Sequence, residues 1–245
     1  MRAATDRTGA PRTTARAATD QPDVLRQAAR ALWPNLPVMV AASVLCSIAF
    51  VPAFFVSPGL TPLGALLLGA ALGPAWMAVV AVTDAMVDGA DVRVASLLTA
   101  VRRHGTAGLR TAAVPVVCAA ALLVTWAMYA AQPAPWLLAC MAVDGGVLVL
   151  VAVGLPFAFS WRLATGQSGR RLWFAACVQG LSRPVLSLGT AAVVMLALMA
   201  GTSWAVSLLF LVPGPLALLC SVASHAVRVD LGLLPDASTR KGSAS

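Results

Sequence analysis

An acidic residue inside a long apolar segment is the clearest chemical signal in this sequence. Asp144 lies in the apolar segment 136–160, directly before Gly145 and Gly146. A carboxyl group at membrane depth is costly unless it is paired or protonated, so such residues commonly mark functional sites. Two interpretations remain open. Asp144 contacts a proton or a substrate in a polar cavity, or it hydrogen-bonds to a neighbouring helix that the two glycines allow to approach closely.

A second group of charged residues lies between the apolar segments. Asp84 is followed by Asp88 and Asp91, and then by a series of arginines. We expect Asp84 to pair with one of the first three of these arginines at the membrane interface. The candidate cytoplasmic contacts to anionic lipid head groups or to a partner protein are Asp84, Arg93, Arg102, Arg103, Arg110, Arg170 and Arg171.

The sequence lacks the motifs of common enzymes and metal sites. Its five cysteines form no CxxC pair, His104 and His225 are isolated, and neither GxSxG nor GxxxxGK[ST] occurs. We therefore predict no enzymatic activity, no catalytic residue, no metal and no cofactor. The net charge of +8 does not indicate a nucleic-acid partner, because the arginines lie between apolar segments and not on one soluble face.

The composition indicates which elements must position these residues. The chain has 245 residues, 60% of them hydrophobic and 11% charged, whereas soluble domains carry about 25% charged residues. Its apolar segments reach or approach the ~20 residues that a membrane-spanning helix needs. Unlike the strands of a barrel, they do not alternate in polarity. The six segments are 34–56, 62–87, 112–131, 136–160, 184–200 and 204–226.

The arginine distribution predicts the orientation of these segments. The connections 57–62, 131–135 and 201–203 carry no charge, and all sixteen arginines lie on the other side of the predicted membrane. Because arginine-rich short loops stay in the cytoplasm, we predict a multi-pass protein with both termini in the cytoplasm. Since only three residues separate the last two segments, one long bent segment is the alternative.

The predicted fold class is all-α, a polytopic helical membrane protein with six transmembrane helices and two cytoplasmic amphipathic helices. Residues 1–22 are expected to form a disordered cytoplasmic arm, 23–228 the six-helix membrane domain, and 229–245 a flexible cytoplasmic tail.

Two sequence patterns bear on how the spans are arranged. Span, basic helix and span occur twice, and TAAV at 111–114 recurs 79 residues later, at 190–193. This favours an internal duplication, although alanine- and valine-rich segments also resemble one another by chance. Gly69 and Gly73 form a GxxxG pattern, which predicts a close contact between helices. Pro213, Gly214 and Pro215 predict a kink in the sixth span.

The sequence resembles the YesL (DUF624) family of small bacterial integral membrane proteins. The resemblance begins at Leu72-Gly73-Pro74-Ala75, continues through MAVVAVTDAMVDGADVRVASLLTAVRRHGTAGLRTA, and includes LPFAFSWRL through LSRPVLSLGTAAV. It covers roughly residues 30 to 228, although the distance from Asn35 to Gly73 is longer than in that family. The resemblance implies a bacterial inner-membrane protein with a transport-associated role in carbohydrate uptake, and it carries over no catalytic residues.

Two other functions remain open. One is the permease subunit of an ATP-driven importer, since Gly105 and Val114-Pro115 resemble the cytoplasmic loop of those subunits, although the first glutamate of that loop is absent. Its partners would be transporter subunits. The other is a membrane scaffold whose basic helices bind the anionic head groups of the lipid bilayer.

Overall fold

A computed structural model describes residues 33–57, 61–182 and 213–230, together with the single positions 184, 187, 189 and 192. The predicted N-terminal arm, most of the fifth apolar segment, the start of the sixth and the predicted tail beyond Asp230 lie outside the described residues. In the described ranges the chain forms six helices and no strand. They are α1 (Leu36–Val56), α2 (Pro62–Val87), α3 (Val94–Ala131), α4 (Pro135–Thr165), α5 (Arg170–Ser182) and α6 (Pro213–Asp230).

Three of these helices, α2, α3 and α4, are long and apolar enough to cross a membrane. Their continuous apolar sequence satisfies every backbone group within the helix, which hydrocarbon requires. Large apolar side chains on α3 and α4 are exposed, among them Val117, Trp126, Val143 and Val149. Because soluble proteins rarely expose such extended apolar surface, the fold is that of a helical protein suited to lipid.

Helix α3 differs from the sequence prediction. We expected a basic surface helix over 88–110 and a separate span beginning at 112, but one helix of 38 residues joins the two. The residues change from arginines to apolar types near Arg110, but the helix continues through this change and through Pro115. At 1.5 Å per residue, α3 is about 57 Å long, well beyond the ~30 Å of hydrocarbon. The helix is therefore long enough to cross such a layer and still leave its arginine-rich part outside it.

Close packing between α2 and α3 confirms the contact predicted from the GxxxG pattern. A Cβ atom added to Gly73 would lie 2.7 Å from the Cβ of Ala112, and one added to Gly69 would lie 2.0 Å from Val116. From the other side, a Cβ on Gly108 would lie 2.5 Å from the carbonyl oxygen of Gly73. Only glycine permits these two backbones to approach so closely.

Glycines also allow close contacts between the other helices. A Cβ on Gly180 of α5 would lie 2.5 Å from the carbonyl oxygen of Val153 in α4. Gly214 of α6 lies against α1, and its backbone N–H donates to the Ser43 hydroxyl at 3.0 Å. Because α2 contributes more residues to the largest buried cluster than any other described helix, from Ala75 to Met86, it lies at the centre of the described bundle.

Both helices that precede a basic segment end beside a glycine with a positive φ angle. Gly89 follows α2 with φ of 82°, and Gly166 caps α4 with φ of 67°. This left-handed conformation stops a helix and turns the chain aside, and glycine adopts it without steric cost. The two copies of the predicted duplication therefore share this local feature. α3 continues into an apolar segment, and after Ser182 the described positions 184, 187, 189 and 192 are also helical.

Candidate functional site

A buried group of polar side chains lies where the carboxyl ends of α2, α4 and α6 meet. We call it the Asp84 cluster, and its members are Thr83, Asp84, Ser160, Ser221 and Arg228. Each is at most 8% exposed. Asp84 and Arg228 lie in the last turns of α2 and α6, and Ser160 lies near the end of α4. Three helices therefore place their carboxyl ends around one buried charged site.

An ion pair forms the centre of the Asp84 cluster. The Nη2 atom of Arg228 donates to Oδ2 of Asp84 at 3.3 Å, and both side chains are about 10% exposed. The Ser160 hydroxyl lies 3.5 Å from the other carboxylate oxygen, Oδ1, at the outer limit of a hydrogen bond. Removing two charges from water is costly, and their mutual attraction offsets the cost only when both stay paired. The pair thus fixes α6 against α2.

Two hydroxyl groups extend the cluster along α2 and α6. Thr83 Oγ1 lies 2.6 Å from Ser221 Oγ and donates to the carbonyl oxygen of Val80 at 3.0 Å. A hydroxyl group can donate its one proton and can also accept. Either hydroxyl can be the donor in the bond between the two.

Three buried donors around the cluster have no hydrogen-bond partner in the described structure. They are Nε of Arg228, Oγ of Ser224 and Nε1 of Trp161, and Ser224 is 5% exposed. An unpaired buried donor costs about 1–3 kcal/mol, so each is expected to be satisfied by a polar group in the functional protein. Nε of Arg228 belongs to the cluster itself, and an unpaired donor of this kind can bind an acceptor such as a hydroxyl or carbonyl oxygen.

A second charged pair marks the open side of the site. His225 Nδ1 lies 3.4 Å from Oδ1 of Asp88, whose side chain is 53% exposed. The histidine contributes a charge to this contact only when it is protonated. Together with Asp84 and Arg228, this pair places four ionisable groups along the facing surfaces of α2 and α6.

Asp144, the strongest candidate from the sequence, lies apart from the Asp84 cluster. It is 16 residues before Ser160 in α4, which is about 24 Å along the helix axis. Thr125 of α3 donates to its Oδ2 at 2.8 Å. Among the described residues, nothing lies within 4 Å of a Cβ built on Gly145 or Gly146, so no described helix makes the close approach that one of the two interpretations assigned to these glycines.

The candidate arginines divide between the two basic helices. Arg102, Arg103 and Arg110 are exposed on α3, Arg93 precedes it, and Arg170 and Arg171 begin α5. The expected partner of Asp84 was wrong: in the described part of the chain no ion pair joins it to Arg93, Arg102 or Arg103, and its partner is Arg228. The contact of the candidate arginines with lipid or with a partner protein stays a prediction.

Sequence reasoning missed the contributions of α4 and α6 to the site. In the sequence, Arg228 contributed only to the prediction of membrane orientation. Ser160, Ser221 and Ser224 belong to no recognised motif. One signal was present: an acid within a span needs a cation at the same depth, and Arg228 also borders a span. No group of three or more His, Cys, Asp or Glu that could hold a metal ion occurs among the described residues.

Comparison with known proteins gives no further guide to this site. No family model, no curated protein and no solved structure matches the chain.

Proposed function

We propose that this chain is a six-span protein of the bacterial inner membrane with a non-catalytic, transport-associated role in the uptake of carbohydrates or similar hydroxylated solutes. The observation that carries the proposal is the Asp84 cluster, a buried ion pair with unpaired donors inside a bundle of apolar helices. Ionisable groups in such surroundings are costly and commonly mark solute or ion pathways. The resemblance to the YesL family supports the same role.

The chemistry of the cluster suits a neutral polar solute. Ser224, Trp161 and Arg228 each present a donor without an acceptor, and the hydroxyl oxygens of a sugar accept such bonds. Asp84 supplies an acceptor for a sugar hydroxyl at the same place. We infer that a solute binds by completing these hydrogen bonds, and that the ion pair orients the donors.

The direction of the helices supports six spans. Because the carboxyl ends of α2, α4 and α6 meet at the Asp84 cluster, these three helices run toward the same side. A chain that crosses the membrane in α4 and again in the same direction in α6 must cross back between them. A topology with six crossings meets this condition, which supports it over the alternative with one long bent final segment. The arginine distribution then puts both termini in the cytoplasm.

A second candidate function is the permease subunit of an ATP-driven importer. The feature that favours it is the arginine-rich part of α3, which extends beyond the apolar layer and leaves Arg102 and Arg103 exposed for a partner. Stoichiometric recovery of a nucleotide-binding subunit after mild extraction would support this function, and its absence would count against it.

Uptake of a panel of labelled sugars tests the transport role. We would compare cells lacking the protein with cells expressing the wild type, Asp84→Asn, Arg228→Gln, or the exposed control Asp91→Asn at equal membrane levels. We expect loss of uptake for at least one sugar in the deletion strain and in both cluster variants, with normal uptake in the control. If deletion changes uptake of no sugar in the panel, the transport role is wrong.

Cysteine accessibility tests the topology separately. With the native cysteines replaced, single cysteines at positions 59, 133 and 202 should react with an impermeant reagent added outside the cell. Reaction from the cytoplasmic side alone would contradict the six-span topology whatever the result of the uptake assay.

A further inference from the structure

An open groove lies between α4 and α5. It has a volume of about 690 Å³ and is lined by Leu150, Val151, Arg170, Arg171, Trp173, Phe174 and Cys177. Its volume falls in the range of pockets that bind small ligands, roughly 300–1,000 Å³. Its walls are apolar, and the only charged side chains among its described lining residues are the two arginines at the start of α5. The groove therefore combines an apolar channel with a cationic end.

No described residue balances the charge at this end. Arg170 and Arg171 are exposed and make no ion pair in the described structure. The sequence contains no acidic residue between Asp144 and Asp230. The two arginines also lie at the amino end of α5, where the helix dipole adds further positive potential. An external anion is thus the group that would neutralise this end of the groove.

The first basic segment shows what is missing here. There the chain supplies its own carboxylates, since Asp84, Asp88 and Asp91 precede Arg93. Around α5 the chain retains the arginines and lacks the acids. A ligand that supplies the missing negative charge and also covers the apolar walls must be amphipathic.

We propose that the groove binds one anionic phospholipid. Its phosphate would lie against Arg170 and Arg171, and one acyl chain would cover Leu150, Val151 and Phe174. Guanidinium groups suit phosphate because they donate several hydrogen bonds in a fixed plane. The predicted orientation places this end of α4 at the cytoplasmic face, where anionic lipids supply such phosphates. The proposal rests on the membrane location proposed above and is independent of transport.

Lipid titration of the purified full chain tests the charge requirement. Delipidated protein in a mild detergent would receive phosphatidylglycerol or phosphatidylcholine, and native mass spectrometry would give the dissociation constant of the bound lipid. Since each arginine near an anionic group contributes about a fivefold factor, we expect R170Q/R171Q to bind phosphatidylglycerol roughly 30-fold more weakly. The control R12Q/R16Q removes the same charge from the N-terminal segment and should bind within about twofold of wild type.

Cys177 reports occupancy of the groove directly. Its thiol lines the groove, and burial raises the pKa of Cys177, so alkylation by a small maleimide is expected to be slow and to accelerate with pH. Phosphatidylglycerol should slow alkylation of Cys177 further and leave the exposed Cys140 unaffected. Peptide mapping by mass spectrometry separates the two sites within one sample.

Several results would overturn the proposal. Equal affinity for the two lipids, or wild-type affinity in R170Q/R171Q, would show that the two arginines do not recognise the anionic lipid. Free inorganic phosphate that protects Cys177 as well as the lipid does would show a phosphate site and no lipid site. Complete resistance of Cys177 in delipidated protein would show that the chain itself or a second copy covers the groove. Cysteine accessibility at 59, 133 and 202 would still report on topology independently.

Discussion

The ion pair between Asp84 and Arg228 makes the sharpest prediction about stability. At 3.3 Å, two unit charges attract by about 5 kcal/mol at an effective dielectric constant of ~20. Arg228→Met leaves a buried carboxylate without its cation, and Asp84→Asn leaves a buried guanidinium without its anion. Each single change should therefore lower the free energy of unfolding by about 3–5 kcal/mol.

The double variant separates this explanation from simple damage to packing. When both charges are absent, neither remains buried and unpaired, so the double variant should be more stable than the sum of the single effects predicts. We expect a coupling energy of about 3 kcal/mol. The measurement is reversible unfolding in mixed micelles with an increasing fraction of denaturing detergent, followed by tryptophan fluorescence.

A matched pair of exposed charges provides the control. Asp91→Asn and Arg103→Gln change the same charges at exposed positions, and each should alter stability by less than about 0.5 kcal/mol. If Asp84→Asn and Arg228→Met also fall in that range, or if their effects simply add in the double variant, the two side chains do not form a buried pair and our description of the cluster is wrong.

Two further contacts give predictions of different kinds. Gly108→Ala places a methyl group 2.5 Å from the carbonyl oxygen of Gly73 and should cost about 1–3 kcal/mol in thermal unfolding. Gly105→Ala, whose Cβ would meet only an atom 3.6 Å away, should be neutral or stabilising by up to about 1 kcal/mol, and equal effects of the two would contradict the α2–α3 contact. Thr125→Val removes the hydroxyl that donates to Asp144 and should cost about 1–3 kcal/mol. If Asp144 is structural, Asp144→Asn leaves sugar uptake unchanged, whereas a loss of uptake at wild-type stability would show that it contacts a solute.

Sequence patterns were sufficient for the elements that depend on composition and local spacing. Continuous apolar segments predicted α2 and α4 within a few residues of their observed ends at 62–87 and 135–165. The GxxxG pattern predicted the contact at Gly69 and Gly73, because glycine leaves room for a second backbone wherever it lies on a helix. Both features follow from properties of neighbouring residues along one helix.

The candidate site could not be assembled in the same way. Asp84 had three arginines close by in sequence, yet its partner Arg228 is 144 residues away. Proximity along the chain favoured Arg93, but the burial of Asp84 directs it toward α6 and away from the exposed surface of α3. Three serines gain their roles only because the ends of three helices converge, which no local pattern encodes. The boundary within α3 failed for a related reason, because polarity changes there while the backbone continues unbroken.

The convergence of helix ends also bears on what the Asp84 cluster can bind. The carboxyl end of a helix carries a partial negative charge of about half a unit, and α2, α4 and α6 all end at this site. Arg228 and Asp84 cancel each other in net charge, so the three helix ends leave the site negative. This field stabilises the guanidinium of Arg228 and opposes the approach of any anionic solute. The groove at Arg170 and Arg171 has the opposite polarity, because it combines two cations with the amino end of α5. The two proposed ligands therefore suit opposite polarities, a neutral or cationic solute at the Asp84 cluster and an anionic lipid at the groove, and we expect neither to compete for the site of the other.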